Sequence, residues 1–254
     1  MSEFVSDQVM DNIRQILRAQ DPDGLTYFRI SWLPLTEEDY AEVPWIERPF
    51  VKRLAGTQKH AEISWPEIIG PYGYGAWCGR WPKLPDNAGW LAQAKRFVDR
   101  YTKTPPIGAR GAGIATHTFS TDRYVHKSFR CTFRDLLELW DVCRETHGTG
   151  FNTSGFYWST IWPKQTTEDA FFCTEACHHV LKESGMLGKI VPLDADEADI
   201  LTMNSGAVTP TILWDKLAHY GGDAANYIHC SNLDDNPNTT YDYVGDSASA
   251  SDWI

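Results

Sequence analysis

The stretch FFCTEACHHVLKESG (171–185) puts two cysteines and two histidines into one short segment. Cys173, Ala176, Cys177, Val180 and Leu181 recur at three- and four-residue intervals, which is one face of a helix. The spacing predicts a buried helix over 173–184, closed by Gly185. Three roles are open to it: half of a metal site, a nucleophile at a helix start, or ordinary core. Cys173 and Cys177 stand one turn apart, as paired ligands on a helix do, but a structural zinc site needs four ligands and usually a second short-spaced pair. Cys131 and Cys143 fall at opposite ends of another predicted helix, and the adjacent His178 and His179 point about 100° apart. No metal and no cofactor is expected. Cys177, in mid-stripe, reads as core, and His178 and His179 read as surface or helix–sheet contacts. Cys173 differs by position. In the first turn, the helix dipole and the free N–H groups favour a thiolate and offer donors to an oxyanion.

A thiolate nucleophile needs a histidine within reach and a group that orients it. Upstream, KHAEISW (59–65) alternates as a strand, with His60, Glu62 and Ser64 on one face and Ala61, Ile63 and Trp65 on the other. His60 is the candidate base. Glu62, two residues on, is the candidate orienting group and is equally readable as a solvated strand residue. His117 is the runner-up. Glu175 reads as a carboxylate that stabilises the helix N-terminus.

The remaining pattern is α+β. Residues 6–19 and 89–101 read as helices, and 25–33 as a strand. Residues 34–58 read as irregular, and 66–89 as a loop of turn residues and aromatics. Residues 111–120 and 122–130 read as a strand pair. Thr132 caps a helix with the stripe Phe133, Leu136, Leu137, Trp140 and Cys143, ended by Gly148, and Asp135 is placed for a capping box. GTGFNTSGFYWSTIWP (148–163) reads as a loop. Thr209-Pro210 starts a short helix. The divisions are an N-terminal helix (1–24), a main domain (25–230) and a polar tail (231–254).

The 254 residues suffice for a real core, and 42% hydrophobic content with 13% aromatics marks a globular chain. A net charge of −11, without a long basic cluster, argues against nucleic acid as the main partner. No apolar run is long enough to span a membrane. The N-terminus lacks the pattern of a signal peptide, so the six cysteines are expected as free thiols.

The order of these motifs resembles the circularly permuted NlpC/P60-type branch of papain-like cysteine hydrolases, a branch with members in bacteria and in large DNA viruses. The matching elements are His60-Ala61-Glu62-Ile63, then Phe119-Ser120, then the helix at 133–147 and GFNTSGF. Phe172-Cys173-Thr174-Glu175-Ala176-Cys177 and Thr209-Pro210-Thr211-Ile212-Leu213 follow. The resemblance covers roughly residues 50–218. Two departures stand out: Cys177, where the family has a small or aliphatic residue, and the glycine-rich stretch at 70–81, which looks like an insertion able to cover or disable the cleft. The resemblance implies a central helix packed on an antiparallel sheet, with Cys173 as nucleophile, His60 as base and acid, and Glu62 orienting the ring. It implies a peptide, isopeptide, peptidoglycan-like or acyl substrate, and a place in the cytoplasm or a virion. The alternative is a non-enzymatic structural or virion protein on the same core, meeting neighbouring chains through segment 34–50 and the C-terminal tail.

Overall fold

The computed structural model describes residues 4–42, 48–65, 68, 72–77, 84–85, 87–102, 111–116, 123–152, 155 and 169–223. In chain order the elements begin with α1 (Asp7–Arg18), β1 (Leu25–Pro34), α2 (Glu37–Glu42), α3 (Arg48–Ala55), β2 (Gln58–Ser64) and β3 (Tyr72–Trp77). Next come α4 (Trp90–Thr102), β4 (Gly111–Thr116), β5 (Val125–Thr132), α5 (Phe133–Glu145), β6 (Gly150–Phe151) and β7 (Ala170–Phe171). The last are α6 (Cys173–Glu183), α7 (Met186–Ile190), α8 (Pro210–Leu217) and β8 (Gly222–Asp223). Short 3-10 turns lie at Ala198–Leu201, Ser205–Ala207 and Ala218–Tyr220.

One sheet organises these elements. Its strand order is β4-β3-β2-β1-β5-β8, and every pairing is antiparallel. The class is α+β, as the pattern predicts. Strand alternation sends Phe28, Ile30, Trp32, Ala61, Ile63, Tyr74, Phe129 and Cys131 into one apolar core. Helix α1 adds Met10, Ile13 and Leu17, α5 adds Leu136, Leu139, Trp140 and Cys143, and α6 adds Ala176, Cys177, Val180 and Leu181. Leu139 takes a buried place on α5, while Phe133 and Leu137 pack at the core's margin. The α5 cap is a full capping box: Asp135 N–H donates to Thr132 Oγ1 at 3.2 Å, and Thr132 N–H donates to the Asp135 carboxylate at 2.9 Å.

The sheet corrects the sequence reading in three places. Strands β4 and β5, expected as a pair, lie apart with β3, β2 and β1 between them. The partner of β4 is β3, drawn from the stretch that reads as a loop because Gly73 and Gly75 mimic turn residues. Residues 72–77 of that stretch form one of the inner strands of the sheet. Segment 34–58 likewise holds α2 and α3. The positions His117, Phe119, Ser120, Cys78, Cys230 and the tail 231–254 lie outside the described residues. No helix among the described residues is long and apolar enough to cross a membrane.

Candidate active site

All seven residues of β2 are buried, on both faces. Ala61 and Ile63 enter the apolar core, so His60, Glu62 and Ser64 occupy the other face. There His60 Nε2 meets Glu62 Oε1 at 2.6 Å. The i, i+2 spacing of a strand makes this contact local, and it needs no tertiary coincidence. Trp77, the last residue of β3, donates its Nε1–H to the same oxygen at 2.9 Å. Gly75 makes room for both groups. A Cβ there would stand 3.1 Å from Glu62 Cγ and 3.0 Å from the Trp77 ring.

Helix α6 brings the sulfur. It lies against β2 and β3, and Cys177 Sγ–H donates to the Ala61 carbonyl at 3.4 Å. Cys173 is its first residue. Its N-cap, Phe172, has no side-chain acceptor, and Glu175 supplies one instead. The Glu175 carboxylate accepts from Phe172 N–H at 3.0 Å and from Asn152 Nδ2 at 3.1 Å. Asn152 Oδ1 in turn accepts from Gly155 N–H at 2.8 Å, so the loop after β6 is tied to the helix start. Glu175 therefore serves the helix N-terminus, as its position predicts.

Cys173 and His60 come together. Cys173 lies close enough to the ring for its negative charge, when present, to add to that of Glu62. Burial is the largest single influence on His60 and disfavours the charged ring. The charges and hydrogen bonds of Glu62 and Cys173 together outweigh it and raise the ring to about 10 from an ordinary 6.5. With Nε2 engaged by Glu62, Nδ1 is the ring atom that can serve the sulfur. Tyr124, just ahead of β5, lies near the group and feels the charges of Glu62 and Cys173. Burial, first, and these anions hold its phenol protonated, well above the ordinary range.

Cys173, His60 and Glu62, the three residues singled out in the sequence, thus converge. His117 lies outside the described residues. Cys177 is fully buried, and burial pushes its thiol well above the usual range. His178 is no surface residue. It is fully buried, with Nδ1 2.8 Å from Ser205 Oγ and Nε2 2.9 Å from the Ile200 carbonyl oxygen. Burial lowers it to about 4, so its ring is neutral and structural. His179 packs on Phe171, with ring centroids 4.9 Å apart. Cys131, Cys143, Cys173 and Cys177 are free thiols. Among the described residues no group of three or more His, Cys, Asp or Glu side chains is placed to hold a metal ion. Sequence reading misses Trp77 and Tyr124. The alternation of YGYGAW, hidden by its glycines, is the signal that would have placed Trp77 on the sheet.

Comparison with protein-family models, with curated proteins and with solved structures finds no match to this chain. Fold and site define an α+β protein in which a cysteine opening a buried helix meets a histidine–carboxylate pair on an antiparallel sheet.

Proposed function

We propose that this chain is a thiol-dependent hydrolase or acyltransferase built on a permuted papain-like core. The observation that supports this most is the closeness of Cys173, at the opening of α6, to a His60 ring whose Nε2 is held by Glu62 at 2.6 Å. A nucleophile, a base and an orienting carboxylate in that order are the parts that acyl transfer needs. The Cys173 sulfur attacks the substrate carbonyl carbon, and the new C–S bond gives a tetrahedral oxyanion. The N–H groups of the first turn of α6 are its nearest backbone donors. Collapse breaks the bond to the leaving group, which takes a proton from His60. Water, deprotonated by His60, then attacks the thioester, and the sulfur departs as thiolate. An amine or alcohol in place of water makes the same cycle an acyl transfer. Amide, isopeptide, ester and thioester bonds all satisfy this chemistry, and the peptide, peptidoglycan-like or acyl substrates implied by the resemblance belong to that set.

A second reading, a structural or virion protein that keeps the core without turnover, draws on one observation. Cys173 and His60 are only 4% and 3% exposed, which leaves a substrate little access in this conformation. Incubation with p-nitrophenyl acetate separates the two readings. The enzyme reading expects an acetyl group on Cys173 by peptide mass mapping, absent in Cys173→Ala and slowed in His60→Ala. Equal p-nitrophenol release by wild type and Cys173→Ala overturns it.

A further inference from the structure

The ladder between β1 and β2 runs in regular register from Arg29 opposite Ser64 to Leu33 opposite His60. One step further it slips: Pro34 faces Gln58, and Lys59 is an extra residue on β2. Two residues of one strand against one of its neighbour make a β-bulge, which bends the strand and re-aims the side chains beside it. Pro34 suits the place, since it has no N–H to give to the ladder. The bulge stands immediately before His60.

Lys59 is anchored. Its side chain is buried, and its Nζ donates to Asp39 Oδ2 at 2.8 Å. Asp39, also buried, lies in the first turn of α2. A capping box fixes it there: Thr36 N–H donates to Asp39 Oδ2 at 3.1 Å, and Asp39 N–H donates to Thr36 Oγ1 at 3.1 Å. Its other oxygen accepts from Arg123 at 2.9 Å. The backbone on the far side of Lys59 is held as well. Thr57 N–H and Gln58 N–H both donate to Thr211 Oγ1, and the Thr57 carbonyl accepts from Leu35 N–H at 3.0 Å. The end of β1, α2 and α8 thus all grip the residues just ahead of His60.

Strict alternation along β2 would send Lys59 to the face of Ala61 and Ile63, in the apolar core. A buried ion pair adds little net stability over an apolar pair of the same size, because the desolvation of both charges offsets their attraction. What it does give is one fixed geometry, since no apolar neighbour can satisfy the ammonium.

We propose that Lys59 and Asp39 are positioning residues of this site: their ion pair pins the bulge, and the pinned bulge sets the direction in which His60 is presented. A strand released from the pin can slip by one residue, and such a slip turns its side chains to the opposite face. The inference rests on the role given above to His60.

The test begins from Lys59→Met, which keeps the length of the side chain and removes its charge; Asp39 keeps Arg123 and Thr36 as donors. Two readouts are followed: nitrogen NMR of the His60 ring, assigned by its loss in His60→Gln, and iodoacetamide labelling of Cys173 at pH 6. Lys59→Met is expected to melt within a few degrees of the wild type. Its His60 ring signals move, and Cys173 labelling slows by roughly tenfold or more. In a His60→Ala background, Lys59→Met should leave the labelling rate where it is, because the bulge acts through the ring. A purely structural role slows labelling alike in both backgrounds, and that result overturns the proposal. So does a folded Lys59→Met protein with wild-type His60 signals. Asp39→Asn, which keeps an acceptor oxygen in place, gives the same reading if Lys59→Met does not fold. Moved His60 signals beside a wild-type Cys173 that labels no faster than Cys131 keep the anchored bulge and discard the hydrolase reading.

Discussion

Glu62→Gln isolates the charge that prepares His60. The amide keeps an oxygen able to accept from the ring and from Trp77, so the geometry survives while the charge goes. In the wild type the ring moves from an ordinary 6.5 to about 10. At ~1.4 kcal/mol per pH unit that is a preference of roughly 5 kcal/mol for the charged ring. A unit charge about 4 Å away in an environment of effective dielectric about 20 supplies ~4 kcal/mol. Glu62 is the largest of the influences that favour the charged ring, Cys173 adds to it, and both act against burial. Removing the carboxylate charge should lower the ring midpoint by about three pH units, to near neutrality. The assay is nitrogen NMR of the histidine side chains, with His60 picked out from the eight histidines by its loss in His60→Gln. The wild-type ring stays protonated well past neutral pH, and the variant ring titrates near it. A Glu62→Gln ring that titrates together with the wild type refutes the electrostatic reasoning, as does a wild-type ring already neutral at pH 7.

Cys177→Ala should stay active and lose about 1 kcal/mol of stability in urea unfolding, because its thiol is a small buried group one turn inside the helix; a folded but dead Cys177→Ala beside an active Cys173→Ala moves the nucleophile. The alkaline limb of kcat/KM should follow the loss of the His60 proton near 10, since a raised ring keeps its proton until that pH. His178 works in the opposite direction. Its folded value of about 4 lies below the ordinary 6.5, so the unfolded chain binds the extra proton first. Stability should be unaffected by this residue above 6.5 and should fall as the pH drops from 6.5 toward 4, by roughly 3 kcal/mol in all; His178→Gln should flatten that slope in denaturant titrations. Thr211 Oγ1 accepts from Thr57 N–H at 2.8 Å and Gln58 N–H at 3.1 Å, so Thr211→Val should destabilise the start of β2 by about 1–3 kcal/mol in thermal unfolding.

The parts of the site legible in the sequence are those fixed by local period. His60 and Glu62 share a face because a strand alternates, and Cys173 opens α6 because the apolar stripe begins there and Gly185, at φ 70°, ends the run. What escaped depends on partners far along the chain. Gly73 and Gly75 look like turn residues, yet the missing Cβ of Gly75 is what the Glu62 and Trp77 side chains need. Nothing in β4 or β5 says that three strands separate them, because pairing across a sheet is set by the whole layer. The burial of His178 depends on Ile200 and Ser205, which lie 22 and 27 residues further along the chain. Tyr124 stacks on His126, which meets Ser31 of β1 across the sheet, a relation that no local pattern carries.

The central claim is that His60 activates Cys173. Iodoacetamide labelling at pH 6, quenched over a time course and mapped by mass spectrometry across all six cysteines, tests it most directly. An activated thiolate reacts at that pH while ordinary thiols stay largely protonated. Cys173 should be labelled first, with Cys131, Cys143 and Cys177 far behind because burial raises their thiols. His60→Ala should abolish that lead in a protein that remains folded. A Cys173 that reacts no faster than Cys131, or whose fast labelling survives His60→Ala, contradicts the account.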